Sequence, residues 1–432
     1  MIKMKDSGVE WIGDIPINWE IKKFKYFFDI IGGNGFKDEF QGNETGEIPF
    51  CKASDINGNN KYVSGAKNYV SYELANSQKY NVIPANSILI SKIGEALRKN
   101  HRKINTVPCI VDNNCEAFTT NRDDNIDFLY YVMKYIDMDW FDNGGTIPSV
   151  NNSKLKEFYL PFPNILIQEK IAKYLDEKCA KIDKIIEKQQ AMIEKLKEYK
   201  LSVITEAVTT GIEKNGNYVD SGVEGIGKIA STWKVAQISK LHNGLTDGTH
   251  GTFTRKETGR LLLSSKNVRE DGLEIGDNES YISEEDYQSI VANGFPQKDD
   301  VLLCCIGASI GRCTIYTKEE PEAFQRSVIF IRCNKNYILP EFMCYSLKSK
   351  STLHQEQLLV NQSAQPGLYQ GLVSKIHLAV PSIAEQNNIV EFLNDKCKLI
   401  DKIVNKRQSI IDKLNEYKKS LIYEVVTGKK EV

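Results

Sequence analysis

The chain has 432 residues, 41% hydrophobic and 26% charged, with 56 Lys and Arg against 57 Asp and Glu for a formal net charge of −1. This composition excludes a disordered or fibrous chain, and the charge balance excludes a uniformly basic DNA-coating protein while leaving local basic patches open. No apolar run approaches the ~18 residues of a membrane span. The amino end lacks the apolar core of a signal peptide, and ten cysteines without a CxxC suit buried thiols in a reducing cytoplasm.

In chain order, short apolar or alternating runs predict strands at Ile48–Lys52 and Ser87–Lys92, and an amphipathic stretch predicts a helix at Asp127–Met138. A long helix follows over Gln168–Thr209. Strands are then expected at Leu261–Ser265, Val301–Ile306 and Ser327–Arg332, a helix at Pro340–Lys348, and a second long helix over Gln386–Thr427. Asn, Gly and Asp clusters such as Asp55–Asn60 and Arg269–Gly272 punctuate the strands. Gly32-Gly33-Asn34-Gly35 reads as a turn, since it lacks the GxGxxG spacing of a cofactor cradle.

The two long helices align without a gap at an offset of 218 residues, and about half of their positions are identical. Upstream, Asp6-Ser7-Gly8-Val9-Glu10 recurs as Asp220-Ser221-Gly222-Val223-Glu224, with Trp19 answering Trp233. The chain is therefore two tandem copies of one unit. Its segments are 1–165 and 213–382, two variable α+β regions, each followed by a similar helix at 166–212 and 383–432.

Leu175, Ile182, Gln189, Leu196 and Val203 recur every seven residues in the first helix, and Leu393, Ile400, Arg407, Leu414 and Leu421 do so in the second. Such heptads, with Lys and Glu between them, predict a coiled coil of helices roughly 60 Å long. The plainer alternative, a long helix packed on its own domain, explains one apolar stripe but not two matching ones. Gln189 and Arg407 interrupt the seam at equivalent places. Ser382-Ile383-Ala384-Glu385 has capping-box spacing; Asn164 caps the first helix, where Ile167 replaces the glutamate and loosens the start. Gly211 and Gly428 sit where helices stop.

The sequence holds no GxxxxGK[ST] phosphate loop, no HExxH or His/Cys ligand set and no GxSxG elbow. No catalytic residue and no metal ligand is assigned. The polar character of the variable regions points instead to nucleic acid. Lys92, Arg98, Lys99, Arg102 and Lys103 crowd a glycine-interrupted loop after a strand, the kind of segment that approaches phosphates; the plainer reading is a solvated charge run. Lys266, Asn267 and Arg269 offer donors and acceptors of the sort that read base edges. Lys52, Ser54 and Asp55 occupy the matching stretch of the first copy. Asp247 and His250 lie in a polar loop that otherwise reads as an ordinary turn, and Arg312, Gln325 and Arg326 complete the candidate DNA-binding set.

The repeated SGVEWIGDIP and SGVEGIGKI entries, the PFP and VPSIAEQ helix starts and the two ending helices together resemble the specificity (S) subunit of type I restriction–modification systems. The resemblance covers essentially the whole chain. It implies two target-recognition domains, each reading half of a split double-stranded DNA target, and two helices that pair antiparallel as a spacer. It also implies two modification (methyltransferase) subunits and two restriction subunits as partners, and no membrane partner. Such a subunit has no active site and no cofactor of its own, since S-adenosylmethionine, ATP and Mg2+ serve the partner chains. Ile167 and Gly225, the latter in place of the first copy's Trp11, depart from the pattern. A coiled-coil scaffold for proteins, and the specificity chain of a methyltransferase-only or type II-like system, are the competing readings.

Overall fold

The computed structural model describes residues 3–58, 60–120, 122–213, 216–361 and 367–432. The fold is α+β in two compact units, residues 1–189 with 409–432 and residues 190–408. The helices that organise it are α1 (Ile126–Tyr135), α2 (Ile165–Thr209), α3 (Pro340–Lys348), α4 (Lys350–Asn361) and α5 (Ile383–Val426). Each unit takes one end of α2 and the opposite end of α5.

The first unit carries a five-stranded sheet in the order Asp29–Gly32, Cys115–Thr119, Ile88–Ser91, Arg102–Asn105, Tyr62–Val63. A three-stranded sheet pairs Ile48–Cys51 parallel with Ile110–Val111 and antiparallel with Tyr69–Val70. The second unit repeats the scheme. Its four-stranded sheet runs His242–Asp247, Val328–Cys333, Val301–Cys304, Cys313–Ile315, and Arg260–Leu263 pairs parallel with Ala323–Phe324 and antiparallel with Tyr281–Ile282. All five strands expected from the sequence are present, each within two residues. The expected helix at Pro340–Lys348 matches α3, and that at Asp127–Met138 ends earlier, as α1.

The repeated DSGVE segment is a hairpin loop. In both copies an Asp carboxylate accepts the Gly N–H (Asp6 to Gly8, 2.8 Å; Asp220 to Gly222, 2.9 Å), and a Ser hydroxyl accepts the next N–H at 3.2 Å. Trp11 stacks on Phe158 and Tyr135 and donates to the Tyr159 carbonyl. At Gly225 a Cβ would lie 2.8 Å from the His354 ring on α4, so that helix takes the room a tryptophan would need. This accounts for the Trp-to-Gly departure.

The helix seam follows two interleaved seven-residue series. Leu175, Ile182, Leu393, Ile400 and Leu421 are buried, as are Cys179, Ile186, Ile193, Cys397 and Ile411 of the second series. Leu196, Val203, Leu414, Gln189 and Arg407 are half-buried. The second series also contains Lys200 and Lys418, lysines at apolar positions. Each is neutralised by the equivalent aspartate of the facing helix: Lys200 Nζ lies 2.9 Å from Asp401, and Lys418 Nζ 2.6 Å from Asp183. Along the first helix the two pairs are separated by 200 − 183 residues and along the second by 418 − 401, the same step in opposite directions, as antiparallel pairing demands.

The helix starts need one correction. Ser382 Oγ accepts the Glu385 N–H at 3.3 Å, but the Glu385 carboxylate accepts from the Trp233 indole at 3.0 Å, so it serves a tertiary contact. Asn164 caps α2 through the Ile167 N–H at 3.0 Å, and the missing glutamate does not loosen that start. Among the described residues no helix is long and apolar enough to cross a membrane.

The seam makes a direct prediction. Asp183→Lys or Lys418→Asp alone sets like charges together and lowers the midpoint of thermal unfolding, while the double reversal restores it. A double-mutant cycle should give a coupling of about 0.5–3 kcal/mol.

Candidate nucleic-acid interface

The recognition candidates of the second unit fall into two groups. In one, the loop after His242–Asp247 folds onto the strand Ala323–Phe324. Thr249 N–H donates to the Phe324 carbonyl at 2.7 Å and Arg326 N–H to the Thr249 carbonyl at 3.0 Å. Gly248 permits this contact, since a Cβ there would meet the Gln325 carbonyl at 2.3 Å. Asp247 then accepts from His250 at 2.8 Å and from Gln370 at 2.5 Å. His250 and Arg326 are exposed and Gln325 half-buried, so the fold gathers four candidates on one ledge. Gln370 was absent from the sequence-based set. It lies 123 residues from Asp247, and no local pattern announces it.

The same backbone geometry recurs in the first unit. Gly33 lies so close to the Asp112 carbonyl that a Cβ would sit 1.8 Å from it, and Asn34 bridges Asp112 as Thr249 bridges Gln325. The Gly-rich segment expected as a turn is thus a close backbone crossing. Lys52 donates to Gln41 at 2.5 Å, its N–H is capped by Asp55 at 2.8 Å, and Ser54 is exposed beside them.

The second group of the second unit is the turn Ser264–Arg269. Lys266 pairs with Glu279 at 2.9 Å, and Arg269 pairs with Glu274 and donates to the Lys266 carbonyl at 2.6 Å. The Lys266 hydrogen bond holds Glu279 below the ordinary carboxylate range. Asn267 requires a correction. Its side chain is 1% exposed, accepts the Ser264 N–H and donates to the Glu274 carbonyl and Glu279, so it builds the turn and has no edge to offer a base.

Arg102 is corrected in the same way. It is 1% exposed and spends its guanidinium on the carbonyls of Asn100 and Ile136 and on the Asn100 side chain, at 2.7–2.9 Å. Burial lowers its pKa to about 10. Lys92 is half-buried, whereas Arg98, paired with Glu95 at 3.0 Å, and Lys99 are exposed. Lys103 is buried too and donates to the Asp55 carbonyl at 3.0 Å, so of the five cations only Arg98 and Lys99 are fully exposed.

Its counterpart in the second unit is two residues shorter: 305–312 separates the flanking strands there, against 92–101 in the first. Arg312, in that loop, donates to the Val268 carbonyl at 3.1 Å and lines a cavity of about 510 Å³ with Lys197, Lys200 and Lys348. Glu356 of α4 packs against the loop at Gly311. It is 3% exposed, its Oε1 is buried without a hydrogen-bond partner, and burial pushes its carboxyl up to about 8.

The sequence matches the type I restriction modification DNA specificity domain over residues 16–195 and 257–412. The chain belongs to that family. It is 26% identical over 197 residues to the type I restriction enzyme MjaIX specificity subunit of Methanocaldococcus jannaschii, covering 43% of each chain. To the MjaVIII specificity subunit of the same organism it is 23% identical over 313 residues, 70% of this chain and 69% of that one. The first of these matches thus spans under half the relative's length. A solved chain from work on complex assembly and conformational transition of the type I R-M system shares the fold, with a TM-score of 0.67, 11% identity and coverage of 96% and 99%.

Glu356 supplies a pH test. Its folded pKa is raised above the unfolded value near 4.3, so the folded state favours the proton. Stability from this site is full below about pH 4 and is lost as pH rises towards 8. Glu356→Gln should therefore raise the unfolding midpoint more at pH 8 than at pH 5. An equal change at both would show that burial of the charge is not the cause.

Proposed function

We propose that this specificity subunit reads an asymmetric, bipartite double-stranded DNA target, one half-site per recognition region, and recruits modification and restriction subunits, two of each. The observation that carries the reading is the duplication: one backbone frame occurs twice, with different polar side chains on the matching ledges. Two readers of one design but different chemistry call for two different half-sites. The asymmetric target follows.

The exposed and half-buried candidates serve as the contacting set. Lys52, Ser54, Lys92, Arg98 and Lys99 act for the first half-site; Asp247, His250, Gln325, Arg326, Lys266, Arg269 and Arg312 act for the second. Lys266 and Arg269 exchange their carboxylate partners for DNA, a competition that suppresses non-specific binding to phosphates.

Partner recruitment has its own support. Outside the seam, Ile185, Met192 and Tyr199 on α2 are exposed at seven-residue spacing, and Ile403, Ile410 and Tyr417 repeat them on α5. Two matching apolar stripes suit two copies of one helical partner. The chain itself carries no catalytic group; S-adenosylmethionine, ATP and Mg2+ belong to the recruited subunits, in the cytoplasm. The test is methylome sequencing of a host with and without this chain, beside its modification subunit. One interrupted motif with unlike halves should appear only with both chains. Methyl transfer by the highly purified single chain would overturn the reading.

The repeat supports a second prediction. Helix α2 carries both Asp183 and Lys200, so a copy of itself can replace α5 and remake both ion pairs. A chain truncated after Gly211 should form a two-fold dimer, driven by apolar burial at about 25 cal/mol per Å². With the modification subunit it should methylate an interrupted palindrome of the first half-site. A monomer, or a dimer that still reads the asymmetric target, would refute it.

A further inference from the structure

Each long helix carries a buried glutamine in its first turn, at the same repeat position. Gln168 is 1% exposed and Gln386 is fully buried. Gln168 Oε1 accepts the backbone N–H of Asn125, the cap residue of α1, at 2.9 Å, and its Nε2 donates to the Pro163 carbonyl at 3.0 Å. Gln386 Oε1 accepts the N–H of Leu339, the cap residue of α3, at 2.8 Å; its Nε2 donates to the carbonyls of Pro381 at 3.0 Å and Tyr337 at 2.8 Å. The same amide ties the same three elements together in both units: the strand entering the long helix, the long helix itself, and the start of the recognition region's own helix.

The partners are informative. Apart from a 3.3 Å contact of Gln168 with Asp124, every bond made by the two amides goes to backbone. A backbone acceptor or donor survives any change of side chain in the variable region. An amide with both donor and acceptor occupied also admits one orientation only, unlike the apolar contacts around it, which tolerate small rotations. We infer that Gln168 and Gln386 are positioning residues that fix the angle of each recognition region on its helix, and thereby the half-site separation the chain accepts.

This inference rests on the bipartite reading, and its test separates the two. The full-length chain, its modification subunit and S-adenosylmethionine are assayed on duplexes carrying the natural spacer or one base pair more or fewer. The parent is expected to favour the natural spacer about ten-fold or more, since small misplacements of a bound site are costly. Gln386→Leu fills the space without hydrogen bonds and should narrow that preference to about two- to three-fold, with half-site base discrimination unchanged. Gln386→Glu keeps the acceptor but not the donor and should fall between them. Val328→Ala, in the recognition region's own core, should lose stability with the spacer preference intact.

A folded Gln386→Leu chain that keeps the parental preference overturns the inference, as does Val328→Ala loosening it equally. Where Gln386→Leu does not fold, Gln386→Glu decides by the same measure. A parent indifferent to spacer length overturns the bipartite reading, and the joint's role with it.

Discussion

The constraint on which the rest depends is the pairing of two helices that each carry an apolar stripe too long for one recognition region to cover. Burying it requires the other repeat. The sequence repeat is consequently not the compact unit: each unit closes on the helix end of the other copy. Gly428, ending α5, lies where a Cβ would meet Pro16 and Trp19 of the first hairpin, and Gly211, ending α2, packs against Trp233 of the second. Both glycines have positive φ, so they stop the helix and admit the close contact at once. Entry tryptophan and terminal glycine are two halves of one joint, divided between the repeats.

Much of this was legible because it is periodic or duplicated. Seven-residue spacing exposed the seam, and an ungapped repeat exposed the two-unit plan, since both persist over forty residues and average out local accidents. The strands were legible too, because short apolar runs bounded by turn residues, such as Val301–Cys304, are too short for a buried helix. The lysines of the seam were less visible. Lys200 and Lys418 lie on the series through Ile193 and Ile411, but a lysine among lysines looks like solvated surface until its aspartate is known to face it.

The candidate recognition residues were legible only as chemistry, not as direction. Arg102 and Asn267 have the right donors, and the fold turns both inward, where a carbonyl or a neighbouring amide uses them. Their residue types alone do not set them apart from Arg98 or Lys266, which remain outside. The difference arises from the elements that carry them. Arg102 pairs with Ile90 on the inner sheet, whereas Arg98 belongs to a short turn beyond it. All four residues of the strand Arg102–Asn105 are buried, and Asn267 lies in the turn between Arg260–Leu263 and Val268–Arg269, so the packing around each decides exposure.

A division of labour follows from which atoms make which contacts. The frame is held by side chains that belong to the repeated elements and by the main chain of the variable ones: the glutamine joints, the Asp and Ser of the hairpins, and glycines that bring two backbones together at Gly33 and Gly248. The variable regions supply peptide groups to that frame and keep most of their exposed polar side chains out of it. Their side chains can change without disturbing the joints, because a peptide N–H is the same in every residue but proline. A reader of new sequence then needs only a new surface on an old backbone. The Asn267 turn and the Arg102 core are the exceptions: there a side chain of the variable region itself fixes the backbone.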